Sequence, residues 1–304
     1  MFLKYHKNNV RETTFQSSNY QILYSKEFFK DYLIKDIKVL DLQNFINSLD
    51  FKPSTLKLVF SKVKQVFNFG NDIAEVINYK PKFNKVILPK ITSEVRNDIL
   101  TEGEINTILN DFSDTIYYYI FKFALLTGMR KGEILALTWD KIDFENNIII
   151  VNKNLNRFNK LTPPKNNSSI RVVPMSNLLK DLILQLKEFT KVKINYSLED
   201  DKIIVMSENN ELSFLFRNEY GEFITTTDID NLFKRHYNNK YHFHQFRHYF
   251  ATKLINTSIP IADVAKILGH AQVSTTLKMY VGTNKSENLA TKLDAIFGQQ
   301  MDNK

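Results

Sequence analysis

Leu268-Gly-His270-Ala-Gln-Val-Ser-Thr-Thr-Leu-Lys-Met-Tyr280 places a phenol ten residues after a histidine, and His244-Gln-Phe-Arg247 lies upstream of both. Three basic side chains therefore precede one tyrosine. A tyrosine hydroxyl ionises near pH 10, so about one molecule in a thousand is phenolate at neutral pH, and a nucleophilic tyrosine needs cationic or basic neighbours. This chain places such neighbours close by in sequence. Ser274 to Tyr280 reads as a short helix capped by Ser274 or Thr275. On its own the tyrosine reads equally well as a partly buried helix residue, one of 14 tyrosines in the chain.

The segment around His244 has a helical period. Over Tyr241 to Ile255, Phe243, Phe246, Phe250 and Leu254 fall within about 80° of one another, with His244 and Arg247 about 60° apart beside them. One side suits a core and the other a phosphate. A core histidine near a surface arginine is the blander reading, and His244 with His248, four residues on, suggests a metal. The zinc-protease pattern needs Glu directly after the first His, whereas position 245 is Gln, so no metal is expected.

Upstream, Thr127-Gly-Met-Arg130-Lys-Gly-Glu133-Ile-Leu-Ala-Leu-Thr-Trp139 sets an arginine after a Thr-Gly turn. The expected helix packs Ile134, Leu135 and Leu137 inward, and Glu133 is placed to orient the guanidinium. This is not a nucleotide loop, which needs four residues between its glycines and a following Lys-Ser or Lys-Thr. Asn147 to Asn152 and Ser169 to Pro174 are β-prone, and a polar stretch containing Pro163-Pro164-Lys165 separates them, which predicts a small antiparallel sheet. The pattern is helical from Phe112 to Leu137 and again from Leu178 onward. A last helix is expected at 286–297, striped by Leu289, Leu293, Ile296 and Phe297.

With 304 residues and 43% hydrophobic content, the chain can bury one large core or two smaller ones. A boundary falls between Leu88 and Ile99: residues 90–97 read as a linker, and Thr101-Glu-Gly-Glu104 as the capping box that opens the next helix. Before it, Pro53 to Phe67 has proline at a first helical position and apolar residues at 56, 59, 60, 63 and 67. Lys57, Ser61 and Lys64 lie on the polar side with Lys62 flanking, suited to phosphates or simply to a solvated surface. Residues 1–97 carry 16 Lys plus Arg against 9 Asp plus Glu, whereas 98–304 carry 25 against 24. Nearly all of the net charge of +8 thus sits in the first third, which suits a polyanion clamp or, equally, lysines that merely keep a surface soluble. Zero cysteines exclude disulfides, thiolate nucleophiles and cysteine-held metals. No run of 18 apolar residues occurs and Met1 to Asn9 is polar and basic, so the expected compartment is the cytoplasm.

Taken together, the chain resembles the tyrosine recombinases of the phage integrase family. The matching pieces follow the family's order: Thr-Gly-Met-Arg130-Lys-Gly-Glu, Pro-Lys165 before Ile-Arg-Val-Val-Pro, His244-Gln-Phe-Arg247-His, Leu-Gly-His270 and Tyr280. They cover residues 101 to 281, while the first third resembles the family's helical core-binding domain only in outline. No separate arm-binding domain is expected ahead of it. The resemblance implies a mainly α fold with a small antiparallel β-sheet: a helical core-binding domain at 1–89, the linker at 90–97, and an α+β catalytic domain at 98–304 with the tail helix.

The resemblance also implies roles. Tyr280 would attack a DNA phosphodiester to give a 3′-phosphotyrosyl bond and a free 5′-hydroxyl, and Arg130 and Arg247 would stabilise the charge without metal or cofactor. Lys165 would protonate the departing oxygen, with Lys160 near enough to compete; His244 would act as base or phosphate contact, and His270 would hydrogen-bond a phosphate oxygen. Glu133 would support Arg130. The expected partner is double-stranded DNA, bound by a chain that is monomeric or weakly associated when free and forms a homotetramer on paired sites. Leu289, Leu293 and Phe297 are candidate contacts to a neighbouring protomer, or else pack on their own domain. Integration or excision of a mobile element leads, ahead of dimer resolution by the same chemistry and of a non-catalytic DNA-binding regulator.

Overall fold

The computed structural model describes residues 1–90, 99–164, 167–190, 195–199, 202–206, 213–218, 221–257 and 259–280. Residues 91–97 of the expected linker, Lys165, and the tail with Leu289, Leu293 and Phe297 lie outside that set. The chain forms two compact units, Met1–Glu94 and Val95–Lys304.

The first unit is helical: α1 (Phe2–Asn9), α2 (Glu12–Phe28), α3 (Val39–Asn47) and α4 (Pro53–Asp72). Proline opens α4, where its missing N–H costs nothing because no carbonyl precedes it in the helix. The apolar positions Leu56, Val59, Phe60, Val63 and Phe67 are all buried. They share a core with Leu42, Phe45 and Ile46 of α3, closed by Ile37 and Val86.

The second unit begins with α5 (Glu102–Asp111), α6 (Ile116–Thr127) and α7 (Lys131–Leu135). At the start of α5 the Glu104 backbone N–H donates to Thr101 Oγ1 and the Thr101 N–H donates back to Glu104 Oε2, the expected capping box. The sheet contains β1 (Ile142–Asp143), β2 (Ile148–Val151) and, after the short pair β3 (Asn154–Leu155) and β4 (Leu161–Thr162), β5 (Arg171–Pro174). Its order is β1-β2-β5, all antiparallel, with Ile148 opposite Pro174 and Val151 opposite Arg171. Period-two alternation buries Ile149 and Val173 and leaves Ile150 and Val172 exposed. Beyond it stand α8 (Asn177–Phe189), the antiparallel hairpin β6 (Asn195–Glu199) and β7 (Lys202–Met206), then α9 (Thr226–Tyr237), α10 (His244–Ile255), α11 (Ile261–Leu268) and α12 (Val273–Tyr280).

Three expectations need correcting. Helices do not simply return after Leu178, because β6 and β7 intervene; the β-branched run Ile203-Ile204-Val205 is their sequence signal. The helix expected from Tyr241 starts at His244, since Gln245 Oε1 accepts the His242 backbone N–H and folds the preceding residues into a turn. Neither Ser274 nor Thr275 caps α12; the helix starts at Val273, so both lie in its first turn.

Candidate active site

Two glycines shape the site. Gly128 ends α6 in the left-handed conformation (φ 60°), and a Cβ there would run into the Phe250 ring. Gly269 ends α11 likewise (φ 68°), and a Cβ would come within 3.0 Å of Arg171 Nη1. Each residue thus lets the chain turn where a larger one would clash, and each exposes helix-end carbonyls to the same few guanidiniums.

Arg130 follows directly from the first turn and stands at the N-terminal boundary of α7. Glu133, 2% exposed, accepts the Arg130 backbone N–H at 2.9 Å and Arg130 Nη1 at 2.8 Å, while Arg130 Nη2 donates to the Gly269 carbonyl at 3.3 Å. The Arg130 side chain stays 36% exposed. Glu133 also takes two bonds from Arg171, whose Nη1 and Nη2 donate to its two carboxylate oxygens at 3.1 and 2.9 Å. Arg171 Nε donates to the Ile267 carbonyl at 2.7 Å, and its Nη1 also reaches the Ser169 carbonyl. One buried carboxylate therefore fixes two guanidiniums, and Arg171 ties β5 to both α7 and the end of α11. Burial raises the Glu133 pKa, but the hydrogen bonds and charge of Arg171, followed by Arg130, outweigh it and leave the carboxyl below its usual range.

Arg247, on α10, is 1% exposed. Its Nη1 donates to the Gly128 carbonyl at 2.8 Å, and its Nη2 to the Leu268 carbonyl at 2.6 Å and to His270 Nε2 at 2.8 Å. Two helix C-termini thus present their negative ends to one buried cation, which offsets part of its desolvation. Desolvation, then the positive charge of Arg130, pushes its pKa down to about 9, so it remains charged at neutral pH. Its Nε–H has no hydrogen-bond partner among the described residues. The spare Nε–H of Arg247 and the partly exposed fork of Arg130 are donors of the kind that a tetrahedral anion requires.

His270 accepts the Arg247 Nη2–H through Nε2, which assigns its proton to Nδ1 in the neutral ring, and Nδ1 lies 2.8 Å from Thr276 Oγ1. Burial, with the charges of Arg247 and Arg130, lowers the His270 pKa to about 4. His244 faces solvent at the start of α10, its ring edge-on to His248 at 4.7 Å. Desolvation by the surrounding protein, followed by His248 and Arg247, pushes its pKa below the ordinary value too. Both rings are therefore neutral at pH 7.

The structure thus brings Arg130, Glu133, Arg247 and His270 into one bonded network, with His244 on the same helix as Arg247. The bland reading of the His244 segment is inverted: the histidine is exposed and the arginine buried. Tyr280 is the last residue of α12. Two residues were missed. Arg171 appears in the sequence only as part of a strand, although it has the same parity as inward-facing Val173; Thr276 gave no sequence signal at all.

In the first unit, Lys57 and Ser61 on α4 are exposed, while Lys64 is half-buried with its Nζ 4.8 Å from the Phe60 ring centre and 5.8 Å from that of Phe83. Lys62 points elsewhere: about 140° from Lys57 around the helix, it donates to Gln65 Oε1 at 3.1 Å, and desolvation lowers its pKa.

Comparison with known proteins follows the same division. The model of the phage integrase family matches residues 98–287, and that of the phage integrase N-terminal SAM-like domain matches residues 1–49. A tyrosine recombinase XerC-like protein of Caldanaerobacter subterraneus subsp. tengcongensis is 27% identical over 271 residues, covering 81% of this chain and 68% of that protein. The ICEBs1 integrase of Bacillus subtilis is 29% identical over 189 residues, covering 59% of this chain and 49% of its own length. The chain spans about half the length of that relative. Among solved structures, the Tn1549 transposon integrase in complex with circular intermediate DNA shares the fold with a TM-score of 0.74 at 19% identity, covering 94% of this chain and 95% of that one. A lambda integrase dimer bound to a core site gives 0.68 at 14% identity, covering 93% and 94%. With a family model matched over more than half its length, the chain belongs to the phage integrase family and is a tyrosine-type site-specific recombinase.

Proposed function

We propose that this recombinase integrates or excises a mobile element, cutting and rejoining duplex DNA with Tyr280 as nucleophile. The observation that carries the reading is the bonded network: Arg247, on α10, bonds to Gly128 at the end of α6 and to Leu268 and His270 at the end of α11, drawing three stretches of chain around its guanidinium. In the reaction, the Tyr280 hydroxyl oxygen attacks phosphorus as its proton passes to His244, and the bond to the 5′-oxygen breaks. Lys165 protonates the departing oxygen, leaving a 3′-phosphotyrosine and a 5′-hydroxyl. Arg130 and Arg247 neutralise the charge that gathers on the non-bridging oxygens, a task forked donors perform well. Glu133 aims Arg130, and His270, whose two ring nitrogens are taken by Arg247 and Thr276, acts by aiming Arg247 rather than by meeting the phosphate. Because the cations supply the charge stabilisation, the step needs no metal or cofactor. The first unit clamps the same duplex through Lys57, Ser61 and Lys64. Four protomers assemble on paired sites, with Leu289, Leu293 and Phe297 docking on a neighbour. The domains divide as 1–89, 90–97 and 98–304.

The test uses duplexes selected for binding from a random-sequence library, each then nicked so that cleavage traps the product. The expected result is a denaturant-resistant protein–DNA adduct, unaffected by a chelator and lost in Tyr280→Phe. Tight binding with no adduct from the native chain would overturn the reading in favour of a regulator.

A further inference from the structure

Every described side chain of α12 but one is exposed: Val273, Ser274, Thr275 and Leu277 all face solvent. Thr276 is 0% exposed. Among the described side chains, a single hydroxyl-bearing residue therefore anchors this helix, and its Oγ1 stands 2.8 Å from His270 Nδ1. Valine has nearly the same shape, so burial alone does not explain an oxygen at this position. What the oxygen does is accept a hydrogen bond from the Nδ1–H of a ring whose other nitrogen already accepts from Arg247.

We propose that Thr276 is a positioning residue: its hydroxyl accepts the Nδ1–H that donation from Arg247 leaves on His270, and so ties the helix that carries Tyr280 to that ring. The consequence runs both ways along the chain of bonds. With the proton on Nδ1, the Nε2 lone pair faces Arg247 and fixes the outer edge of its guanidinium. With Nδ1–H unanchored, the ring is free to turn about its side-chain bonds, and the guanidinium edge that rests on Nε2 loses its fixed partner. Burial, then the positive charges of Arg247, Arg130 and Arg171, opposed by Glu133, favours the neutral ring on which this pair of bonds depends. Docking of the nucleophile helix and aim of the buried arginine thereby become one event.

This inference rests on Tyr280 as nucleophile, and the experiment separates the two. Thr276→Val removes the oxygen and keeps the volume; Thr276→Ser keeps the oxygen and loses a methyl. In the full-length chain, imidazole nitrogen NMR is expected to show the His270 proton on Nδ1 in the native protein, with the signature of a hydrogen-bonded Nδ1–H kept in Thr276→Ser and lost in Thr276→Val. On the nicked selected duplexes, Thr276→Val should form adduct roughly tenfold more slowly, with DNA affinity within about threefold, and Thr276→Ser should recover most of the rate. An unchanged rate in Thr276→Val, a serine variant as slow as the valine one, or a native His270 protonated on Nε2 overturns the proposal. If the native chain gives no adduct while the NMR result holds, it is the reading of Tyr280 that fails.

Discussion

The guanidiniums of Arg130, Arg171 and Arg247 and the lysines of α4 are both cationic, but they differ in what surrounds them. Arg171 and Arg247 are buried and bonded to fixed carbonyls, a carboxylate and an imidazole. Lys57 is exposed and Lys64 only leans over two phenyl rings. Fixed donors aim at one point and have been desolvated in advance, so charge developing there finds its partners without reorganisation. Mobile ammonium groups instead raise the concentration of a polyanion along a surface. Geometry governs the first region and charge the second, and each can be broken separately.

The largest effect is expected from Arg247→Lys, which keeps the charge and destroys the fork. A single ammonium cannot reach the Gly128 carbonyl, the Leu268 carbonyl and His270 together. Adduct formation on a nicked duplex should fall by about 10²- to 10³-fold while affinity changes little. A tenfold or smaller loss would mean that charge, not aim, is what Arg247 contributes. Glu133→Gln comes next, because it leaves two guanidiniums sharing a neutral amide. Stability should drop by about 2 kcal/mol, read as a lower urea midpoint at unchanged slope.

The elements on which these predictions depend were unequally legible. The capping box at Thr101 and Glu104 and the inward face of α4 are set by residues near one another in sequence, and β2 and β5 each carry their own short β-prone run, so local pattern reveals them. Depth is another matter. Arg247 is buried because its acceptors lie 119, 21 and 23 residues away, a fact no local pattern holds. Arg171 was readable in principle, since strand parity puts it beside Val173 on the buried face, but an arginine on a short strand is ordinarily turned outward. Thr276 was not readable, because its only distinguishing feature is the imidazole it meets.

A smaller effect is expected from pH. His270 titrates near 4 when folded against an ordinary value of 6.5. As pH falls, the unfolded chain takes up the proton first, so the contribution of this group to stability is complete above about pH 6.5 and is lost progressively down to about pH 4. His244, lowered in the same direction, adds to the slope. Chemical denaturation at a series of pH values should show this decline, and His270→Gln should flatten it. A variant whose stability falls as steeply as the native protein's over that window would show that other groups control it.

The smallest effect separates the lysines of α4 from one another. Lys57, Ser61 and Lys64 fall within about 60° around the helix, whereas Lys62 is turned well away toward Gln65. Each phosphate neutralised by a lysine steepens the fall of log affinity with log salt by about 0.9. Lys57→Gln should therefore weaken DNA binding a few-fold at moderate salt and reduce that slope by about 0.9, without altering the fraction of bound chain that forms adduct. Lys64→Gln should do the same and also lose its contact with the Phe60 ring, a cost of about 0.5 kcal/mol to the fold. Lys62→Gln should leave the slope where it was. If Lys62 and Lys57 reduce it equally, α4 acts through net charge alone and the face defined by its period has no part in binding. If only Lys57 and Lys64 matter, even the loosely held cations of this chain are placed by geometry, and the contrast with the buried arginines is one of degree.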